Sequence, residues 1–412
     1  MSFFSRIAIF FVTIALGIVQ PVTADTVEIE RTPSLTLSIL TEDLYQRLPA
    51  HQAESAYQQK IKANSDLADS LLANVASVSV NHYNDTLGSS DGMQEWEGSI
   101  SMPLWLSGQQ QQQRELSQKL SEELTAYQQY LKLEASGKVR ELIWQMALTE
   151  SELGQAYHVW QTAQKLEKDV GVRVDAGELA SSEKLLATTH ALEMHNHYLQ
   201  AQGKLQQVYD RYQTITGEST FPEEFKELLS AKQGIDQAHP ALAMLDERIM
   251  TLRTQQSLAR YDGAVNPSLS VGVRRDRGNH SEQFNNSVAV GLSFALDDKI
   301  YRQPALAEAA MALSEAEISR QQLEQDLTVE LAAQRRELGV QQQQLELASK
   351  HDKVTQQYVL LQQHAFDLGE IDLVSLLTSQ TLAYESHNRK QLLEISIKQT
   401  VARINQALGV IL

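Results

Sequence analysis

Residues 101–217 occur in this chain twice. Displaced by 192 positions, Ser293 to Gly409 overlies Ser101 to Gly217 without a gap and with 21 identities in 117 positions, where composition alone gives roughly one in fifteen. The identities cluster. Asp175-Ala176-Gly177-Glu178 falls on Asp367-Leu368-Gly369-Glu370, Leu185 on Leu377, and Gly217 on Gly409. Glu193, His195 and Asn196 fall on Glu385, His387 and Asn388. So long a period, present only twice, marks a duplicated half-protein and not a solenoid. The repeats are expected at 25–220 and 239–412, joined by a linker over 221–238, after a loose leader to about residue 34.

Each repeat changes its hydrophobic period midway. Residues 35–71 follow a helical period interrupted near Pro49, and 240–262 do the same in the second half. Strands are predicted over about 72–83 and 94–105, where Val78, Val80, Trp96, Ile100 and Met102 alternate with Ser77, Ser79, Glu97, Ser99 and Ser101. The second pair, about 267–275 and 286–296, alternates Leu269, Val271, Val273, Val288, Val290 and Leu292 with Ser268, Ser270, Gly272, Ser287, Ala289 and Gly291. Period two with one apolar face is the pattern of half-buried strands. Polar loops rich in turn formers separate the strands of each pair.

After each pair comes a proline-free helical stretch, 109–173 or 305–366, with apolar residues stepping by three, four and seven, as in Leu116, Leu120, Leu124 and Leu131. That is a coiled-coil-like seam, and at 1.5 Å per residue each spans roughly 90 Å. Each ends near a glycine, Gly177 or Gly369, with Ser181 or Asp372 placed to cap a returning helix over 181–216 or 372–408. The returning helices are too short to match their partners. The helices ahead of the strands are expected to supply the missing length by stacking end to end with them.

The expected fold class is therefore mainly α with a small β part: a duplicated helix–strand–strand–long helix–helix unit. Arg6, the apolar run Ile7 to Val19 and Pro21-Val22-Thr23-Ala24 read as a secretory signal over residues 1–24. No later window holds about 20 apolar residues. Without cysteine there is neither a disulfide framework nor a cysteine to carry a lipid. Four one-sided strands cannot close a barrel, and membranes do not tolerate an open sheet edge. Several chains would have to share one barrel in an outer membrane, with the long helices projecting into the periplasm. Val78, Val80, Ile100, Val271, Val290 and Leu292 are then expected to face lipid. After residue 24, 34 basic residues stand against 52 acidic ones, which argues against a nucleic-acid partner.

This layout resembles the TolC-like outer-membrane efflux proteins over essentially the whole chain after the leader. Ser99-Ile100-Ser101-Met102-Pro103-Leu104-Trp105-Leu106-Ser107-Gly108-Gln109 is similar to that family's strand-to-helix passage, and its counterpart at Val290 to Leu296 has Ala295 in place of the proline. Asp175-Ala176-Gly177 and Asp367-Leu368-Gly369 resemble the family's hairpin tip, which carries an aromatic three residues before the glycine; Phe366 fits and Val174 does not. The resemblance implies a homotrimer sharing a twelve-stranded barrel above a hollow helical tube. It also implies an exit duct for efflux that meets a periplasmic adaptor and an inner-membrane pump, of the RND type before the ABC type. It places gating and adaptor docking at the tips: Asp175, Gly177, Glu178, Phe366, Asp367, Gly369, Glu370 and Asp372.

Those carboxylates at a constriction would favour cations and strain a closed state through like charge; the plainer reading makes Asp175 and Asp367 solvated turn residues and Asp372 a helix cap. His195-Asn196-His197 places its two imidazoles on different helix faces, a poor chelate, so the recurring polar residues read as interhelical contacts and no metal or cofactor is expected. There is no nucleophile elbow, HExxH or phosphate loop, and the chain reads as a non-enzyme. Type I protein secretion uses the same kind of duct. A periplasmic coiled-coil adaptor or scaffold would explain the helices but not the strands.

Overall fold

The structure is a computed structural model that describes residues 29–262, 264–296 and 299–412; the expected signal segment lies outside them. Along the chain run β1 (Arg31–Thr32), α1 (Leu37–Arg47), a 3-10 turn (Pro49–Gln52), α2 (Ala53–Ala68), β2 (Ser77–Asn84) and β3 (Gln94–Pro103). Then come α3 (Gln109–Asp175), α4 (Ser181–Thr216), β4 (Phe221–Pro222) and α5 (Pro240–Leu258). The chain closes with β5 (Ser268–Arg277), β6 (Asn285–Ser293), α6 (Lys299–Asp367) and α7 (Leu373–Ala407).

The two long helices, of 67 and 69 residues, each reach about 100 Å. No single neighbour covers such a length, so each is flanked by two shorter helices in succession. α2 lies along the strand-proximal part of α3, where Tyr57 Oη donates to Glu123 (3.0 Å) and Gln113 Nε2 to Asn64 Oδ1 (2.6 Å). α4 takes over nearer the tip, where Arg211 pairs with Glu141 (2.9 Å). The second half repeats the scheme: α5 meets α6 through Arg320 and Asp246 (2.8 Å), and α7 through the hydrogen bond from Thr400 Oγ1 to Gln341 Oε1 (2.9 Å). Glu123, 1% exposed, also takes Arg248 of α5 (3.1 Å), which ties the halves together. Burial, with Glu123 beside it, pushes the Tyr57 phenol up to about 12.

The four longer strands form one antiparallel sheet in the order β2-β3-β5-β6, so the β3–β5 pairing crosses between the halves. Its register puts Val78, Ile100, Val271 and Val290 in one row across all four strands. Ser79, Ser99, Gly272 and Ala289 form the next row, on the opposite face. Within the single chain Val78, Val80 and Val290 are about 70% exposed, and among the described residues β2 and β6 each have one unpaired edge. Such a face and such edges need covering by something outside the chain.

The passage from sheet to helix is built by hydrogen bonds. Gly108 takes the left-handed conformation (φ 82°) at the start of α3. Gln109 Oε1 accepts from the Leu106 N–H (3.1 Å) and from Asn266 Nδ2 (2.8 Å) of the other half. Trp105 Nε1 donates to Ser70 O (3.0 Å). Gly108-Gln109 thus supplies a positive φ and a side-chain bridge to Leu106 and Asn266 where the chain swings from sheet to helix.

Three segments differ from expectation. α6 begins at Lys299, before Pro304, and not at 305; close to a helix start a proline removes only one bond of the ladder, and the helix continues through it. The stretch at 29–34 is not a loose leader: β1 pairs in parallel with β4, Ile29 packs on the first hydrophobic core, and Arg31 lies over the rings of Phe221 and Phe225 and pairs with Glu150. The linker region is equally fixed, with Phe221 buried and Glu227 bonded into the interior. The end-to-end stacking read from helix lengths corresponds to α2 and α4, and α5 and α7, following one another along their long partners.

Candidate functional site

Both hairpin tips use the same backbone solution. Gly177 and Gly369 have φ of 80° and 77°. Glu178 N–H donates to Arg173 O (2.8 Å) and Gly177 N–H to Val174 O (2.9 Å); Glu370 N–H donates to Ala365 O (2.9 Å) and Gly369 N–H to Phe366 O (3.0 Å). This paired pattern closes a helix around a left-handed residue, which glycine adopts without steric cost. Asp372 then caps α7, its Oδ1 accepting from the Ser375 N–H (2.9 Å). The Ser375 hydroxyl and N–H hold its carboxyl below the usual range. Ser181, expected to cap α4, is instead the first residue of that helix, after Ala180, and makes no cap hydrogen bond.

Behind the two turns the four helix ends share one small core of Leu166, Val170, Ala187, Phe366, Leu373 and Leu376. Phe366, named among the tip residues for gating and docking, is therefore interior, 1% exposed: an aromatic one turn before the glycine points back between the hairpins and leaves no face for a partner. Arg173, absent from the sequence reading, joins the two tips. Its guanidinium lies over the Phe366 ring (4.9 Å), donates to Phe366 O (3.4 Å) and pairs with Glu178 (3.4 Å). The only sequence signal was a cation in the last turn of a long helix.

The five tip carboxylates are all exposed but not alike. Asp175 pairs with Lys184 (3.1 Å) and Glu178 with Arg173. Among the described residues no ion pair reaches Asp367, Glu370 or Asp372. The unneutralised negative charge therefore sits on the second tip, although the two turns are repeats of each other.

Farther from the tips the hairpins separate around a cavity of about 530 Å³ whose lining includes His158, His190, Met194, His197 and Tyr384. Burial lowers the pKa of His190. Among the described residues no group of three or more histidines or carboxylates is close enough to hold a metal. The histidines at the repeated position make interhelical contacts: His195 stacks on Trp160 (4.4 Å between ring centres, 7° between planes), and His387 Nδ1 meets Asp352 Oδ1 (3.2 Å). Among the described residues no helix is long and apolar enough to cross a membrane.

Two helical hairpins, each built on a ~100 Å helix, together carry a four-stranded sheet with open edges, an arrangement found in solved structures. VceC from Vibrio cholerae, an outer membrane protein, superposes with a TM-score of 0.70 over 90% of this chain and 96% of its own, at 12% identity. The chain has the fold of an outer-membrane channel. The CmeC outer membrane channel of Campylobacter jejuni (TM-score 0.67, 91% of this chain and 84% of that one, 12% identity) and the open state of the MtrE outer membrane channel of Neisseria gonorrhoeae (0.67, 91% and 89%, 12%) agree. In sequence, neither a protein-family model nor a curated protein matches the chain. The fold class read from the duplication is the one found, including four strands per chain set on an α-helical hairpin pair.

Proposed function

We propose that the chain is one of three identical subunits of an exit duct for efflux, whose strands share a twelve-stranded barrel in the outer membrane and whose helices form a tube in the periplasm. One observation carries this reading: the sheet has an exposed apolar face and two open edges at the far end of the helices. Identical neighbours on both edges would satisfy the edge hydrogen bonds, and lipid would cover the apolar face. Such a duct works by passage and needs no catalytic group. Its selectivity would come from charge at the narrow tip, and its partners would be a periplasmic adaptor and an inner-membrane pump. The adaptor or scaffold alternative has no use for an exposed four-stranded sheet.

The test is the mass and conductance of the protein extracted in detergent. A trimer that forms ion-conducting pores in planar bilayers is expected. A monodisperse monomer, soluble without detergent and silent in bilayers, would overturn the reading.

A further inference from the structure

The last four residues of β5, Arg274 to Arg277, are all charged, and the pleat sorts them between two faces. Arg274 and Asp276 lie on the polar face, where Arg274 Nε approaches Glu95 (2.9 Å) and Asp276 (3.7 Å). Arg275 and Arg277 lie on the other face, in line with Val271 and Val273. Among the described residues no carboxylate pairs with either of them. Both guanidinium groups rest instead over the Phe284 ring, at 4.5 and 4.8 Å, and Arg277 Nε is buried without a hydrogen-bond partner. Trp96, level with Arg275 across the β3–β5 pairing, stacks on His82 (4.0 Å).

One row closer to the helices the apolar face has a gap. Nothing lies within 4 Å of where a Cβ on Gly98 would stand. Val80, Trp96, Val273 and Val288 wall a groove of about 450 Å³ there that reaches Arg275. Arg275 at the mouth of an apolar groove, with Arg277 beside it on the same Phe284 ring and no carboxylate paired to either among the described residues, matches an amphiphile with an anionic head. The guanidinium fork suits phosphate oxygens in particular. Phe284 already holds both arginines in place, so a ligand has little side-chain freedom to freeze.

The geometry points to a binding site for a phosphate-bearing lipid, its head on Arg275 and Arg277 and one chain in the groove over Gly98. The site lies at the loop end of the sheet, away from the helices, so the lipid belongs to the outer leaflet. This rests on the channel reading above, which sets that face against lipid.

The experiment titrates delipidated, detergent-solubilised protein with bisphosphorylated lipid A and counts bound lipid by native mass spectrometry. One lipid per subunit is expected, with affinity falling at least roughly tenfold in the Arg275→Gln/Arg277→Gln variant. A similar loss is expected for lipid A stripped of its phosphates, while Arg274→Gln, on the other face, retains binding. Should the glutamine pair fail to assemble, Gly98→Leu fills the groove with both arginines in place and is expected to lose the lipid as well. Retention by both the double variant and Gly98→Leu overturns the proposal, as does displacement of the lipid by millimolar inorganic phosphate, which would make the site one for the free ion. Trimer mass and bilayer conductance of the same preparations judge the channel reading separately: a conducting trimer that ignores lipid A sinks only the lipid site.

Discussion

Arg140 and Glu227 form a buried bidentate ion pair, Nε to Oε1 at 2.9 Å and Nη2 to Oε2 at 2.7 Å, that fastens the first long helix to the segment joining the two halves. Their side chains are 5% and 10% exposed. The pair is extended on both sides: Arg140 Nη1 donates to Val410 O (3.0 Å), and Asn405 Nδ2 donates to Glu227 Oε2 (3.1 Å) and Leu228 O (2.9 Å). First half, joining segment and C-terminal end thus meet at one desolvated knot.

Removing one partner of such a pair strands a buried charge. Glu227→Ala and Arg140→Met are each expected to lower unfolding stability by about 3–5 kcal/mol, with the double variant costing clearly less than the sum. Denaturant unfolding of the four proteins gives the coupling directly; strict additivity would show that the two groups do not depend on each other.

The sheet register makes a paired prediction about facing. Val290 lies in the row with Val78, Ile100 and Val271, and Ala289 in the row behind it. Val290→Arg is expected to cost about 2–4 kcal/mol in bilayer folding, because it puts a charge against hydrocarbon, and Ala289→Arg much less. The reverse order in a lipid-vesicle folding titration would shift the facing by one residue.

Charge neutralisation at the tips is expected to be asymmetric. Among the described residues no cation pairs with Asp367, Glu370 or Asp372, whereas Asp175 and Glu178 have Lys184 and Arg173. Replacing the first three by amides is expected to reduce cation selectivity in planar bilayers more than Asp175→Asn with Glu178→Gln. Gly369→Leu forces a branched side chain into a left-handed turn at about 1–2 kcal/mol and is expected to impair export with trimer levels unchanged. Equal reversal potentials for both charge variants, with normal export by Gly369→Leu, would place the gate elsewhere.

The first turn of α7 is expected to loosen in acid. Hydrogen bonds from Ser375 depress the Asp372 pKa in the folded chain. Its contribution is therefore complete above the unfolded value of about 3.9 and is lost as pH falls through the lower folded value. Protection factors for hydrogen exchange at Val374 to Leu376 should fall below about pH 4, and Asp372→Asn, which can still cap, should lack that pH dependence. An identical profile in the asparagine variant would assign the effect to another group.

The duplication, the two long hairpins, the tip glycines and the alternating strands were legible in the residues because each rests on a local rule: a period of two or 3.6, a cap, a left-handed turn. Gly177 and Gly369 announce a chain reversal whatever surrounds them. Local rules did not reveal that Phe366 turns inward, since a helix end shows what it buries only once a second hairpin stands beside it. Arg173 and Arg140 gave no more signal than any helical arginine; what sets them apart is contact with Phe366, Glu227 and Val410, residues far away in sequence. β1 and β4 were invisible because two-residue strands carry no period, and their pairing spans most of the first half. The sequence by itself determined the long helices, the four longer strands and that the pattern occurs twice. Only the tertiary structure decided which charges find partners and which face outward unpaired, because burial and ion pairing depend on neighbours that the chain brings together only after its local elements have packed.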